Sequence, residues 1–150
     1  KKSKNKVIFV GNGGSASIAG HLTVDCINAA NLRAVNFNDP GIITCFSNDY
    51  GYENWVSKAL DCYAEPGDLL VLISSSGQSK NMLIGASKAK SLGVNIVTLT
   101  GFSNENPLKK MGNINLWVDS QKYNIVEMAH HIWLLAVVDY IIKDNKEMES

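Results

Sequence analysis

The chain has 150 residues, with 14 Lys and Arg against 14 Asp and Glu, and 45% of its residues are hydrophobic. That length is about one domain's worth and can bury one sizeable core. Balanced charge without a basic run excludes the electrostatic footprint of a nucleic-acid binder, so an anionic ligand has to be held locally by backbone N–H groups and hydroxyls.

Residues 7–10 are β-branched and aromatic without alternation, which suits a strand buried on both faces. A glycine-rich loop follows at 11–17, and it opens a helix over 15–28. Its glycines let a ligand approach the backbone, and the helix start favours an anion. The loop matches neither the dinucleotide fingerprint nor a P-loop. A tight turn capped by Ser15 is the plainer reading of the same residues.

A second strand is predicted at 34–37, a helix over 53–63, and a turn at Pro66, Gly67 and Asp68. The third strand, 69–73, runs straight into Ser74, Ser75, Ser76, Gly77, Gln78 and Ser79. Hydroxyls can rotate to donate to phosphate oxygens, Gly77 lets the chain wrap, and Ser79 stands where the next helix needs its N-cap. That helix is predicted over 79–92 and ends at Gly93, a C-terminal cap. Strands at 95–99 and 114–118 and a long helix over 124–142 complete the pattern, and the tail from Lys143 to Ser150 reads as a fraying end.

Strand alternating with helix means βαβ units and a mostly parallel sheet covered on both faces. The apolar stretch 132–142 contains Asp139, falls short of a membrane span and reads as a buried core helix. No signal peptide is read. Cys26, Cys45 and Cys62 lack metal or redox spacing and read as buried free thiols of a cytoplasmic protein.

The blocks at 11–17, 48–53 and 73–79 resemble, in order, those of the phosphoheptose isomerases of the SIS (sugar isomerase) superfamily. The resemblance implies a single SIS domain over residues 1–150. Its fold would be a doubly wound, five-stranded parallel sheet between helices, a three-layer α/β/α arrangement. It also implies a homotetramer with sites between subunits, and family helices that would precede Lys1. The implied reaction converts sedoheptulose 7-phosphate to a heptose 7-phosphate. The binding residues it carries over are Asn12, Gly13 and Ser15, then Asn48 and Asp49, then Ser74, Ser76 and Ser79.

The family's metal and acid–base positions carry over less well. On the first helix they fall on His21 and Asp25, and on the last helix on Val126 and Leu134, which offer no lone pair. Zinc is therefore not expected, with His21 the one clear retained ligand position. His21 and Asp25 still share a helix face, within a polar stripe of Ser17, His21, Asp25 and Asn28 that also suits a solvated surface. His130, between Val126 and Leu134 on one helical stripe, is the candidate for the missing base, against a plainer reading as a hydrogen-bonded core histidine. His131 points elsewhere and pairs by spacing with Glu127, which reads as structural. The expected activity is aldose–ketose isomerisation with Asp25, His21 and His130 as acid–base candidates. The alternative is a phosphosugar-binding protein that acts through protein partners.

Overall fold

The computed structural model describes residues 4–149. Lys1, Lys2 and Ser3 of the lysine-rich opening, and Ser150 of the expected fraying end, lie outside the described residues.

Five strands form one sheet: β1 (Val7–Gly11), β2 (Ala34–Asn36), β3 (Leu69–Ser74), β4 (Asn95–Thr100) and β5 (Ile114–Trp117). All pairings are parallel and the order is β2-β1-β3-β4-β5. The helices are α1 (Gly14–Asn28), α2 (Pro40–Tyr50), α3 (Trp55–Tyr63), α4 (Lys80–Ser91) and α5 (Tyr123–Glu149).

The non-alternating strands are apolar because both faces are covered. In β3, Leu70 and Leu72 face a core shared with Trp55 and Leu60 of α3 and Met82 and Ala86 of α4. Val71 and Ile73 face the opposite core with Ile18 and Leu22 of α1 and Leu134 and Val138 of α5. The result is the doubly wound α/β/α sandwich. Gly93 follows α4 at φ 70°, and Val94 N–H donates back to Ala89 O at 3.0 Å, as the expected glycine cap requires.

Four expectations are corrected. Helix α2 was not anticipated, although its start is written in Asp39 and Pro40: the Asp39 carboxylate caps Gly41 N–H at 2.8 Å, and proline takes the first turn. Cys45 and Cys62 are exposed and only Cys26 is buried, because α2 and α3 turn their cysteines outward. Residues 143–149 continue α5 rather than fray.

Finally, α5 is only partly a core helix. Val126, His130, Leu134 and Val138 are buried, at four-residue spacing, while Met128, Ile132, Val137 and Tyr140 are exposed. Its Tyr123–Glu147 stretch is long and apolar enough, by length and composition, to cross a membrane. The buried stripe packed on the sheet is what a core helix of a soluble protein presents as well.

Candidate functional site

Strand order reverses between β1 and β3, since β1 leads to β2 on one side and β3 leads to β4 on the other. Ligands of open parallel sheets bind at such a reversal, beyond the carboxyl ends of the strands. Here the glycine loop after β1 and the serine loop after β3 lie side by side, with Gly11 in register with Ile73. Between them is a cavity of about 170 Å³ lined by Asn12, Ser15, Ser74, Ser75, Ser76 and Ser79, with Tyr123 and Glu127 from α5.

The serine loop is organised for donation. Ser74 Oγ accepts from Gly77 N–H and Ser76 Oγ from Gln78 N–H, each at 3.3 Å, which leaves both O–H groups to donate. Ser79 occupies the N-cap of α4 without making a side-chain capping bond. Ser75 Oγ is buried without a partner among the described residues. Gly77 sits at φ 62°, and Asn106 fills the space a β-carbon would need. Ser74, Ser76, Ser79 and the start of α4 thus border one small cavity with no cation among its lining residues, which suits an anion held by neutral donors.

The glycine loop is clamped from two sides. Asn12 exchanges two side-chain hydrogen bonds with Asn81 on α4, at 2.9 and 3.1 Å, and Tyr52 Oη donates to Asn12 Oδ1 at 3.2 Å. Asn38 Nδ2 donates to Gly11 O at 2.9 Å. Gly13 precedes α1 at φ 56° and is exposed. Helix α1 begins at Gly14 with no side-chain cap, so Ser15 is a buried cavity residue rather than the cap of a turn. Asn48 and Asp49 are exposed near the end of α2, bonded to each other at 2.9 Å, and do not line the cavity.

The acid–base candidates separate into two groups. His21 and Asp25 come together: His21 Nε2 lies 3.3 Å from Asp25 Oδ2. His130 does not join them. It is fully buried, with Nε2 on Thr100 O at 3.0 Å, and burial holds its imidazole below the usual histidine range, the Thr100 carbonyl partly opposing. It is a core histidine and cannot meet a ligand there.

His131 is the residue that sequence reasoning missed. Its Nε2 shares a hydrogen bond with His21 Nδ1 at 2.9 Å, and the rings pack edge to face. Val126, His130 and Leu134 form the buried stripe, so residues 127 and 131 fall on the flank of α5 that meets α1. Glu127 is the second missed residue. It lines the cavity, and its carboxylate lies against Gly14, where a β-carbon would come within 2.5 Å of Oε2. The apolar stripe at 126, 130 and 134 was the signal that could have found both.

A zinc ion of the family type does not fit this donor set. Val126 and Leu134 are buried and apolar. His21 turns one ring nitrogen to Asp25 and the other to His131, so the three side chains point at one another rather than at a common centre. Among the described residues no group of three or more His, Cys, Asp or Glu could hold a metal ion.

Residues 1–101 match the family model described as the SIS domain. The chain is 36% identical over 135 residues to a phosphoheptose isomerase of Akkermansia muciniphila, covering 86% of this chain and 71% of the relative. It is 36% identical over 134 residues to a probable phosphoheptose isomerase of Thermoplasma acidophilum, covering 85% and 73%. The solved phosphoheptose isomerase of Francisella tularensis superposes with a TM-score of 0.84 at 28% identity, covering 93% of this chain and 77% of that one.

Proposed function

The chain belongs to the SIS-domain family, among the phosphoheptose isomerases, and from that membership we propose that it interconverts aldose and ketose forms of a phosphorylated sugar such as sedoheptulose 7-phosphate. The observation that carries the reading is the convergence of four loop serines and Ser15 on one cavity at the sheet's reversal point. In this reading Ser74, Ser76 and Ser79 hold the phosphate. Asn12, Gly13 and Ser15 line the path of the sugar, with Asn48 and Asp49 recruited from the rim. Glu127 accepts from sugar hydroxyls.

The reacting carbons then lie away from the phosphate. From Ser15 to His21 the α1 axis advances six residues, about 9 Å. That is comparable to the length of a seven-carbon chain. It supports Asp25 as the base for the carbon-bound proton, with His21 beside it, and an enediol intermediate. No metal is assigned a role.

We read residues 1–150 as one SIS domain working in a homotetramer in the cytoplasm. Support for assembly comes from the exposed apolar residues beside the polar cluster, Val24 and Ile27 on α1 and Met128 and Ile132 on α5. Support for a reducing compartment comes from the free cysteines, two of them exposed. The similar proteins carry the isomerase name, which favours catalysis over binding alone.

The test is incubation of the protein with sedoheptulose 7-phosphate and separation of the sugar phosphates by anion exchange. A new aldose phosphate at equilibrium supports the reading. Tight binding without conversion supports the binding-only alternative.

A further inference from the structure

We propose that Glu127 restricts this cavity to phosphate esters with a hydroxyl on the carbon next to the ester-bearing one, and so rejects plain alkyl phosphates. The assignment rests on the phosphate-ester reading above and names the feature of the ligand that the site requires. The cavity has two unlike walls. One is the loop after β3, where Ser74, Ser76 and Ser79 border the space with the start of α4. Ser75 lines it as well, buried, its Oγ without a partner among the described residues. Hydroxyls donate, so this wall suits the phosphate. The other wall is Glu127, and an ionised carboxylate only accepts.

Glu127 reaches from α5 to the start of α1. A β-carbon at Gly14, the first residue of that helix, would come within 2.5 Å of Oε2 and 2.7 Å of Oε1. Helix α1 has no side-chain cap and no acidic residue in its own first turn. The Glu127 carboxylate takes the place that the free N–H groups and dipole of a helix start favour for an anion. Gly14 leaves room for it. One helix start at the cavity is already matched by a negative group, and the start of α4 is the one left for the ligand's phosphate.

The two walls are close. A rounded space of about 170 Å³ is about 7 Å across, less than the about 8 Å over which physiological salt screens charge. It holds a phosphate and the carbon or two beside it, not the rest of a sugar chain. No Lys, Arg or His lines the space to offset the carboxylate, and the Asn12 amide is committed to Asn81. A phosphate on the serine wall therefore faces an unbalanced carboxylate unless a donor stands between them. A hydroxyl next to the ester-bearing carbon is that donor, and sedoheptulose 7-phosphate carries one at C6. An alkyl phosphate puts only C–H groups there, leaving the repulsion unrelieved and the carboxylate desolvated without a partner.

The experiment titrates the full chain and its Glu127→Gln variant, by calorimetry, with 1,2-propanediol 1-phosphate and with propyl phosphate, which differ by that one hydroxyl. Glutamine has the shape of glutamate, and residue 127 is half-buried, so the variant folds, which circular dichroism verifies. The wild type should prefer the diol phosphate by about tenfold or more. In the variant the preference should fall below about threefold, because propyl phosphate binds more tightly than to the wild type. A merely structural role would not raise an affinity. Equal wild-type affinities, a preference that survives in the variant, or a variant that binds both esters more weakly overturns the proposal. A wild type that binds neither ester overturns it together with the phosphate assignment of the cavity. A wild type that shows the preference but does not convert sedoheptulose 7-phosphate supports the role of Glu127 and removes the isomerase reading alone.

Discussion

The side-chain amides of Asn12 and Asn81 face each other and exchange two hydrogen bonds, Asn12 Nδ2 to Asn81 Oδ1 at 3.1 Å and Asn81 Nδ2 to Asn12 Oδ1 at 2.9 Å. They tie the loop after β1 to the first turn of α4, across the point where the sheet reverses. The cavity between the two loops is braced by this pair. Replacing Asn81, itself buried, with alanine leaves Asn12 Nδ2 without its partner, while Tyr52 Oη still donates to Asn12 Oδ1. Asn81→Ala should lower stability by about 1–3 kcal/mol, measured by urea unfolding. It should raise KM for the sugar phosphate more than it lowers kcat.

In our reading the loop after β3 contributes to affinity and little to folding. Among the described residues Ser76 Oγ accepts from Gln78 N–H within its own loop, at 3.3 Å. Ser76→Ala should weaken binding of sedoheptulose 7-phosphate by about 1.5 kcal/mol or more, roughly tenfold at least, in a calorimetric titration. Its unfolding midpoint should stay within about 0.5 kcal/mol of wild type. Unchanged affinity would remove the loop from the site.

Burial pushes the His130 imidazole below its ordinary pKa, so its effect on stability has a definite sign. The folded protein holds this imidazole below its usual range, while the unfolded chain takes up the proton near pH 6.5. Stability unaffected by His130 above that pH is lost as the pH falls below it, by up to about 1.4 kcal/mol per pH unit. Urea unfolding at pH 7.5 and pH 5.0 measures the slope. His130→Gln, which can still donate to Thr100 O but does not titrate, should flatten it.

The exposed apolar residues of α5 make assembly measurable. Ile132 is 64% exposed and Val137 52%, on a helix whose opposite stripe is buried in the core. The full-length chain should scatter light as a multimer, four subunits in our reading, and Ile132→Asp should shift it to smaller species. A wild-type monomer of 16.3 kDa would contradict the assembly.

Much of this architecture was legible in the sequence. The two loops that line the cavity stand out because each directly follows an apolar strand, and the parallel sheet followed from strands with no alternation. Helix α2 has no buried residue and so carries no apolar stripe to read, although Asp39 and Pro40 spell its start. The histidines were harder. Choosing between His130 and His131 requires the rotation of α5 about its own axis, and that is set by packing of Val126, Leu134 and Val138 on the sheet. The stripe that included His130 was found correctly, but it faces the core, and the flank that meets α1 lies one residue further on. Exposure of Cys45 and Cys62 depends in the same way on how α2 and α3 lie against the sheet.

The central claim is that the serine-lined cavity selects a phosphate ester for isomerisation. The most direct measurement compares kcat/KM for sedoheptulose 7-phosphate with that for unphosphorylated sedoheptulose on the same protein. Hydrogen bonds to a charged group contribute about 1.5–3 kcal/mol each, so three serine donors predict a preference of about 1,000-fold or more for the phosphate. Equal values for the two sugars, or conversion of neither, would contradict the account.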